Sequence, residues 1–180
     1  MERPLLGAVL AGGRSERFGS DKALARLGGR TLLEQAVEAL GAQCDAVIVV
    51  GREDAPAPTL ADWPRPGMGP LGGIAAALRH AREAGYGDVL TCPVDSLGLA
   101  PDLAAQLRPA PAYCESQPVI GLWPVSTTAE LEALLRSDAR HSLRAFSARI
   151  GARGVSLSQE PANINTPADL ESAERRSHGL

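Results

Sequence analysis

The chain has 180 residues, of which 44% are hydrophobic, 22% charged and only 3% aromatic. That is the size and polarity of a single soluble domain with a core of Ala, Leu, Val and Ile. A formal net charge of -3 argues against general nucleic-acid binding while leaving room for a local basic cluster, Arg14, Arg17 and Lys22, and no apolar run approaches the ~18 residues of a membrane span. The start, "MERPLLGAVLAGG", has too short an apolar run for a signal peptide and passes at once into a charged glycine-rich loop. A cytoplasmic protein is expected. Cys44, Cys92 and Cys114 form no C-x-x-C pair and read as buried thiols rather than a disulfide or zinc framework.

"PLLGAVL" (4–10) reads as a buried strand ended by glycines. "TLLEQAVEAL" (31–40) reads as a helix with capping-box spacing from Thr31 to Glu34. "DAVIVVG" (45–51) is a second buried strand, and 55–62 is a loop with room for a short one. "GPLGGIAAALRHAREA" (69–84) is a helix opened by Pro70, with Leu71, Ile74 and Leu78 as its apolar stripe. "GDVLTCPVD" (87–95) is a third strand running into a carboxylate, and 101–107 a short helix. Two strands are expected in 111–116 and 117–123 and a helix over 127–137, again with Thr-x-x-Glu spacing, from Thr127 to Glu130. A helix over 142–150, a strand over 154–158 and a helix over 166–176 complete the chain, the last with Thr166 as cap and Pro167 at its first position. Continuous apolar strands alternating with helices argue a mostly parallel sheet covered on both faces.

Ligands of such sheets bind beyond the carboxyl ends of the strands. Three features fall there. In "LAGGRSERFGSDKAL" (10–24), Gly12 and Gly13 let the backbone approach a ligand and turn its N–H groups toward an anion. Arg17 and Lys22 add positive charge where a polyphosphate would lie. The loop lacks the G-x-x-x-x-G-K-[ST] pattern of a Walker A.

"GMGPLG" (67–72) matches G-x-G-x-x-G literally, but "DWPRP" precedes it and Pro64 and Pro66 forbid a central strand there. The dinucleotide reading is rejected. Gly69, at this helix start, reads equally as a phosphate contact or a plain turn. Asp95, at the end of its strand, suits a magnesium ion shared with substrate phosphates or a turn aspartate. Asp62 is a loop carboxylate able to hydrogen-bond a nucleoside or to face water. In "NINTPADL" (163–170), Asn163 and Asn165 share one side of an extended segment, suited to an amide-rich ligand or to ordinary capping. His80, His141 and His178 lie in helical or terminal contexts and receive no catalytic role.

The 10–24 loop is similar to the signature of nucleotidyltransferases that activate a phosphorylated acceptor with a nucleoside triphosphate. More narrowly, the chain resembles the molybdenum cofactor guanylyltransferase family, through that loop, "GPLGGI" (69–74), "PVDSLGLAPDL" (93–103), "QPVIGLW" (117–123) and "NINTPADL", in that order. The resemblance implies one nucleotidyltransferase domain over 1–180. Its fold would be a three-layer αβα, mostly parallel Rossmann-like sheet of the nucleotide-diphospho-sugar-transferase type. It implies GMP transfer from GTP to the molybdenum-bearing molybdopterin, with Mg2+, giving the guanine dinucleotide cofactor and pyrophosphate. Proteins that deliver molybdopterin and molybdoenzymes that take the product are the implied partners.

Carried over by position, Leu10, Ala11, Gly12, Gly13 and Gly69 would hold the nucleotide. Arg17 and Lys22 would bind the triphosphate and stabilise the departing pyrophosphate. Asp62 would contact the nucleoside, Asp95 would hold Mg2+ beside the nucleotide, and Asn163 and Asn165 would lie on the pterin side. Phe18 stands where the family often has Met. Ser96-Leu97 follows Asp95 where a proline two positions on is usual, Val50 replaces a polar residue, and Gly72 replaces an alanine in what reads as a neutral change. Three rivals remain at this level. One is cytidylyl transfer to the same pterin, whose enzymes typically read L-A-A-G where this chain has Leu10-Ala11-Gly12-Gly13. Another is transfer to a sugar-1-phosphate or other small phosphate, against which the resemblance of the "NINTPADL" ending argues. The third is a non-catalytic nucleotide-binding module, against which Lys22 and Asp95 together argue.

Overall fold

The computed structural model describes residues 3–12 and 21–178. Its strands are β1 (Leu5–Leu10), β2 (Arg26–Leu27), β3 (Arg30–Thr31), β4 (Ala46–Val50), β5 (Thr59–Leu60), β6 (Asp88–Pro93), β7 (Ser96–Leu97), β8 (Ala112–Cys114), β9 (Gly121–Pro124), β10 (Arg153–Val155) and β11 (Ala162–Asn163). Its helices are α1 (Leu32–Gly41), α2 (Pro70–Ala84), α3 (Leu103–Leu107), α4 (Thr128–Arg136), α5 (Leu143–Ile150) and α6 (Pro167–His178). A seven-stranded sheet runs in the order β10-β8-β9-β6-β1-β4-β5. All its pairings are parallel except those of β9, which runs antiparallel to both β6 and β8.

Side chains alternate across the sheet with a period of two. In β1, Leu5 and Val9 join α1 and α3 in one core, with Leu33, Leu40, Leu103 and Leu107. Leu6 and Ala8 face the other way, into the core made with α2, α4 and α5 around Leu71, Ile74, Leu78, Leu134 and Phe146. This is the three-layer αβα arrangement expected. Gly7 allows the close approach of α1: a Cβ there would lie 3.0 Å from Cys44 Sγ and 3.1 Å from Leu40 Cβ.

The local signals hold at most helix starts. Thr31 Oγ1 accepts from the Glu34 N–H at 3.0 Å while the Glu34 carboxylate accepts from the Thr31 N–H at 2.9 Å, the reciprocal capping box. Thr166 and Asp169 do the same for α6. The Thr127–Glu130 spacing does not. Thr127 caps α4 without a side-chain bond to the helix, because its hydroxyl donates back to the Pro124 carbonyl at 2.7 Å. The strand expected over 154–158 is Arg153–Val155, shifted toward β8, its parallel partner. Two short antiparallel pairs, β2–β3 and β7–β11, were not foreseen; at two residues each they are too brief to show any periodicity.

Candidate active site

The site forms where β1, β4 and β6 end side by side. Backbone pairing continues past the strands: the Ala11 N–H donates to the Val50 carbonyl at 2.9 Å, and the Val94 N–H to the Leu10 carbonyl at 3.1 Å. The next residues, Gly12 and Gly51, meet backbone to backbone. Gly51 has φ +94°, and a Cβ on it would lie 2.6 Å from Gly12 Cα, a distance no side chain tolerates. The two bare backbones leave a floor free of side chains.

Above this floor lies a cavity of about 850 Å³ lined by Leu10, Gly12, Val50, Asp62, Gly69 and Val119, among others. A smaller one of about 430 Å³ adjoins it, sharing Gly12, Asp62 and Gly67 and reaching Arg52 and Thr59. Asp62 thus stands at the junction of both. Burial raises its carboxyl above the usual carboxylate range. Its neighbour Trp63 is held by the N–H bond it donates to the Gly72 carbonyl at 3.1 Å and by the guanidinium groups of Arg79 and Arg136, 4.6 and 5.0 Å from its ring. Gly72 is no neutral replacement here: a Cβ would meet Met68 Cβ at 2.8 Å and Asp62 Cβ at 3.4 Å. Gly69 sits at the N-cap of α2 with φ +69°, so this helix start borders the larger cavity.

Lys22 opens a 3-10 turn, Lys22–Leu24, capped by the Asp21 side chain. Its Nζ lies 3.0 Å from Asp95 Oδ2, with the two side chains 18% and 17% exposed. Asp95 Oδ1 is buried and has no hydrogen-bond partner among the described residues. A buried carboxylate oxygen without a partner is costly unless something else binds it. That oxygen, just past the end of β6, fits a magnesium ion that takes one protein carboxylate and completes its shell with substrate phosphates and water. No cluster of three or more His, Cys, Asp or Glu exists among the described residues, so a cation held by protein alone has no cage there.

The two asparagines fall on the far side of Asp95. The Ile164 N–H donates to the Asp95 carbonyl at 2.9 Å, and Ile164 is buried while Asn163 and Asn165 are exposed. Asn163 Oδ1 accepts from Ser96 Oγ at 3.2 Å and from Gln117 Nε2 at 3.1 Å. Ser96, the departure after Asp95, therefore builds β7 and fixes Asn163. The Asn165 N–H belongs to the α6 cap, donating to the Asp169 carboxylate at 2.9 Å. Gly13 and Arg17 lie outside the described residues. The sequence reading passed over Arg52, Gln117 and Trp63; a lone loop arginine, glutamine or tryptophan carries no motif. Cys92 and Cys114 are buried as expected, whereas Cys44 is only half-buried; burial pushes the Cys44 thiol up to about 12 and the Cys92 thiol up as well.

Residues 7–161 match the profile of the MobA-like NTP transferase domain. The chain belongs to that family. It is 38% identical to a molybdenum cofactor guanylyltransferase from Acidiphilium cryptum, over 94% of each chain. Identity to the same-named protein of Sinorhizobium fredii is 36%, over 92% of this chain and 88% of that one. The fold matches the molybdopterin-guanine dinucleotide biosynthesis protein A of Archaeoglobus fulgidus with a TM-score of 0.79 at 23% identity, covering 97% of this chain and all of the other. A 2-C-methyl-D-erythritol 4-phosphate cytidylyltransferase from Thermus thermophilus shares the fold more loosely, with a TM-score of 0.67 at 18% identity over 98% of this chain and 99% of the other. The fold is thus shared by proteins named for different nucleotides and acceptors, and the base and acceptor must be argued from the site and the closer relatives.

Proposed function

We propose that residues 1–180 work as one Mg2+-dependent nucleotidyltransferase domain that moves GMP from GTP onto the molybdenum-bearing molybdopterin, releasing pyrophosphate. The names of relatives at 36–38% identity support the reaction. On the structural side the carrying observation is the Lys22–Asp95 pair, whose Oδ1 has no partner among the described residues, near the Gly12–Gly51 floor.

The nucleoside enters the larger cavity, where Asp62 orients it and Gly12 and Gly69 let backbone approach the phosphates. An acceptor phosphate oxygen attacks the α-phosphorus of GTP. A new P–O bond forms, the bond to the bridging α–β oxygen breaks, and its electron pair leaves on pyrophosphate. The acceptor is already a nucleophile, so positioning and charge stabilisation supply most of the catalysis. Lys22, with Arg17 from the same loop, neutralises the charge that builds on pyrophosphate. Asp95 would hold Mg2+, which when bound supplies further neutralisation of the triphosphate. Asn163, its Oδ1 engaged by Ser96 and Gln117, directs its amide N–H groups to the pterin, with Asn165 beside it. Among the described residues no helix is long and apolar enough to cross a membrane. The reading implies work in the cytoplasm between a protein that delivers molybdopterin and a molybdoenzyme that receives the product.

The test supplies Mg2+, the molybdenum-loaded pterin monophosphate and either GTP or CTP, and follows pyrophosphate release and product mass. GTP-dependent release with a guanine dinucleotide product is expected. Release with CTP alone would overturn the base, and release with neither would overturn the reaction.

A further inference from the structure

Lys22 is the only lysine in a chain with 18 basic residues; the rest are arginines. The distinction has chemical content. Arginine offers a planar fork that fixes a partner's orientation, whereas lysine is a compact charge on a flexible four-carbon stem. Lys22, held at its tip by Asp95 at 3.0 Å, thus aims a charge at the departing pyrophosphate from a flexible stem. Its base offers little help. The 3-10 turn Lys22–Leu24 has three residues, closed by the Leu24 N–H to the Asp21 carbonyl and the Ala25 N–H to the Lys22 carbonyl, both at 3.1 Å. So short a turn is not stable alone.

What holds it comes from elsewhere in the chain. Asp21 Oδ1 accepts from the Ala23 N–H at 3.2 Å. The same carboxylate is gripped by Arg52 at both oxygens, Nη1 to Oδ1 at 2.9 Å and Nη2 to Oδ2 at 2.9 Å. That fork lowers the Asp21 carboxyl below its ordinary value and fixes its rotation as well as its distance. Arg52 follows Gly51 directly, so its backbone is tied to the Gly12–Gly51 contact that makes the floor of the site. Its third nitrogen, Nε, donates to the Asp54 carbonyl at 3.4 Å. All three guanidinium nitrogens are spent on protein, although Arg52 also borders the smaller cavity.

We infer that Arg52 is a positioning residue for the transfer reaction: through Asp21 it locks the turn from which Lys22 reaches the leaving phosphates. The inference rests on the role given to Lys22 above. Asp21 is 46% exposed, and a pair of that exposure adds little to global stability. Its effect is therefore local, on the aim of one side chain.

The single lysine makes the effect visible. The full chain labelled with 13C at lysine shows one lysine side-chain spectrum. In the unsubstituted protein the two Hε protons of Lys22 are expected at separate shifts, as in a fixed side chain. In Arg52→Ala they collapse to one averaged shift while the melting temperature holds. Arg52→Lys, which restores charge without the fork, recovers only part of the separation. With GTP, kcat falls about 10-fold in Arg52→Ala and KM stays within about 2-fold, as for a misplaced rather than missing group. An unchanged Hε pair in Arg52→Ala, or a pair already averaged in the unsubstituted protein, would overturn the inference. So would a raised KM at unchanged kcat, which would put Arg52 on the nucleotide. Absence of pyrophosphate release by the unsubstituted protein would instead refute the reaction, and the lysine spectrum would still decide whether Arg52 holds Lys22.

Discussion

Strand β6 carries an aspartate at its start, Asp88, and another just past its end, Asp95, and each faces a cation. At the amino end, Arg108 Nη1 lies 3.5 Å from Asp88 Oδ2, at a shallow cavity of about 800 Å³ walled by Pro109, Pro111 and Pro124. At the carboxyl end, Lys22 pairs with Asp95 at 3.0 Å and leaves the other oxygen buried, with no partner among the described residues. The amino-end pair is a partly exposed arginine bridge from the end of α3 to the first residue of β6. The carboxyl-end pair is incomplete, and it sits where three parallel strands end together and the backbone is stripped of side chains. Charge pairing alone marks neither as a site. An unfilled carboxylate valence at the carboxyl edge does.

The sharpest way to break this contrast is to neutralise each aspartate in turn. Asp95→Asn should cut kcat/KM for GTP by about 10²–10³-fold, the scale for removing a group that stabilises transition-state charge. Its thermal unfolding should stay close to that of the unsubstituted protein. Asp88→Asn should leave turnover within about 2-fold. If Asp95→Asn retains activity with Mg2+, the metal assignment falls. If Asp88→Asn loses it, the two ends are not functionally distinct.

Exchanging the cations is the next largest effect. Lys22→Ala should lower kcat about 10²-fold. Lys22→Arg should recover only part of this, about 10-fold below the starting rate, because a planar fork does not replace a point charge on a flexible stem. Arg108→Lys at the other end should leave kcat unchanged. Full rescue by Lys22→Arg would show that any cation serves there.

Much of this contrast is legible in the sequence. β1, β4 and β6 are short continuous apolar runs, and α1 and α6 carry capping boxes, so the parallel layers and their carboxyl edge followed from local signals. Lys22 and Asp95 stand out because each lies directly in or after a strand-end loop. The antiparallel course of β9 is set by pairing with β6 and β8, which residue patterns within 117–123 do not encode. The β7–β11 pair that brings Asn163 to Ser96 depends on contact across the chain, and two-residue strands have no period. Arg52 was invisible for the same reason. Its meaning lies entirely in Asp21, far off in sequence, and a charged loop residue read alone points only to water.

The two ends also differ in how they use glycine. Gly51 and Gly85 both have positive φ, +94° and +87°. Gly85 caps α2 in open space, with nothing within 4 Å of a built Cβ, whereas a Cβ on Gly51 would lie 2.6 Å from Gly12 backbone. Gly85→Ala should therefore cost about 1–2 kcal/mol, the penalty of a left-handed residue alone. Gly51→Ala adds a backbone clash and should cost about 3 kcal/mol or more while weakening nucleotide binding. Equal losses by thermal unfolding would mean that the floor yields easily and that the close approach is incidental.

The smallest expected effect concerns acid. Burial raises the Asp88 carboxyl and Arg108 offsets this only in part. A carboxyl raised in the folded state favours folding when protonated. That advantage is complete below the unfolded value, about 3.9, and is lost as pH rises through the higher folded value. At neutral pH the ionised Asp88 is thus a mild burden, and Asp88→Asn, which keeps its shape without the charge, should unfold at an equal or slightly higher temperature. The change should stay within about 0.5 kcal/mol, as for other partly exposed positions, and the two curves should converge as pH falls well below about 3.9, where Asp88 is neutral in both folded and unfolded chains. Asp21 behaves oppositely, because Arg52 lowers it, so its contribution is present above the unfolded value and fades as pH falls through the lowered one. A variant Asp88→Asn that is clearly less stable at pH 7 would show that the Arg108 bridge outweighs burial, and would make the amino-end pair a structural clasp rather than a tolerated charge.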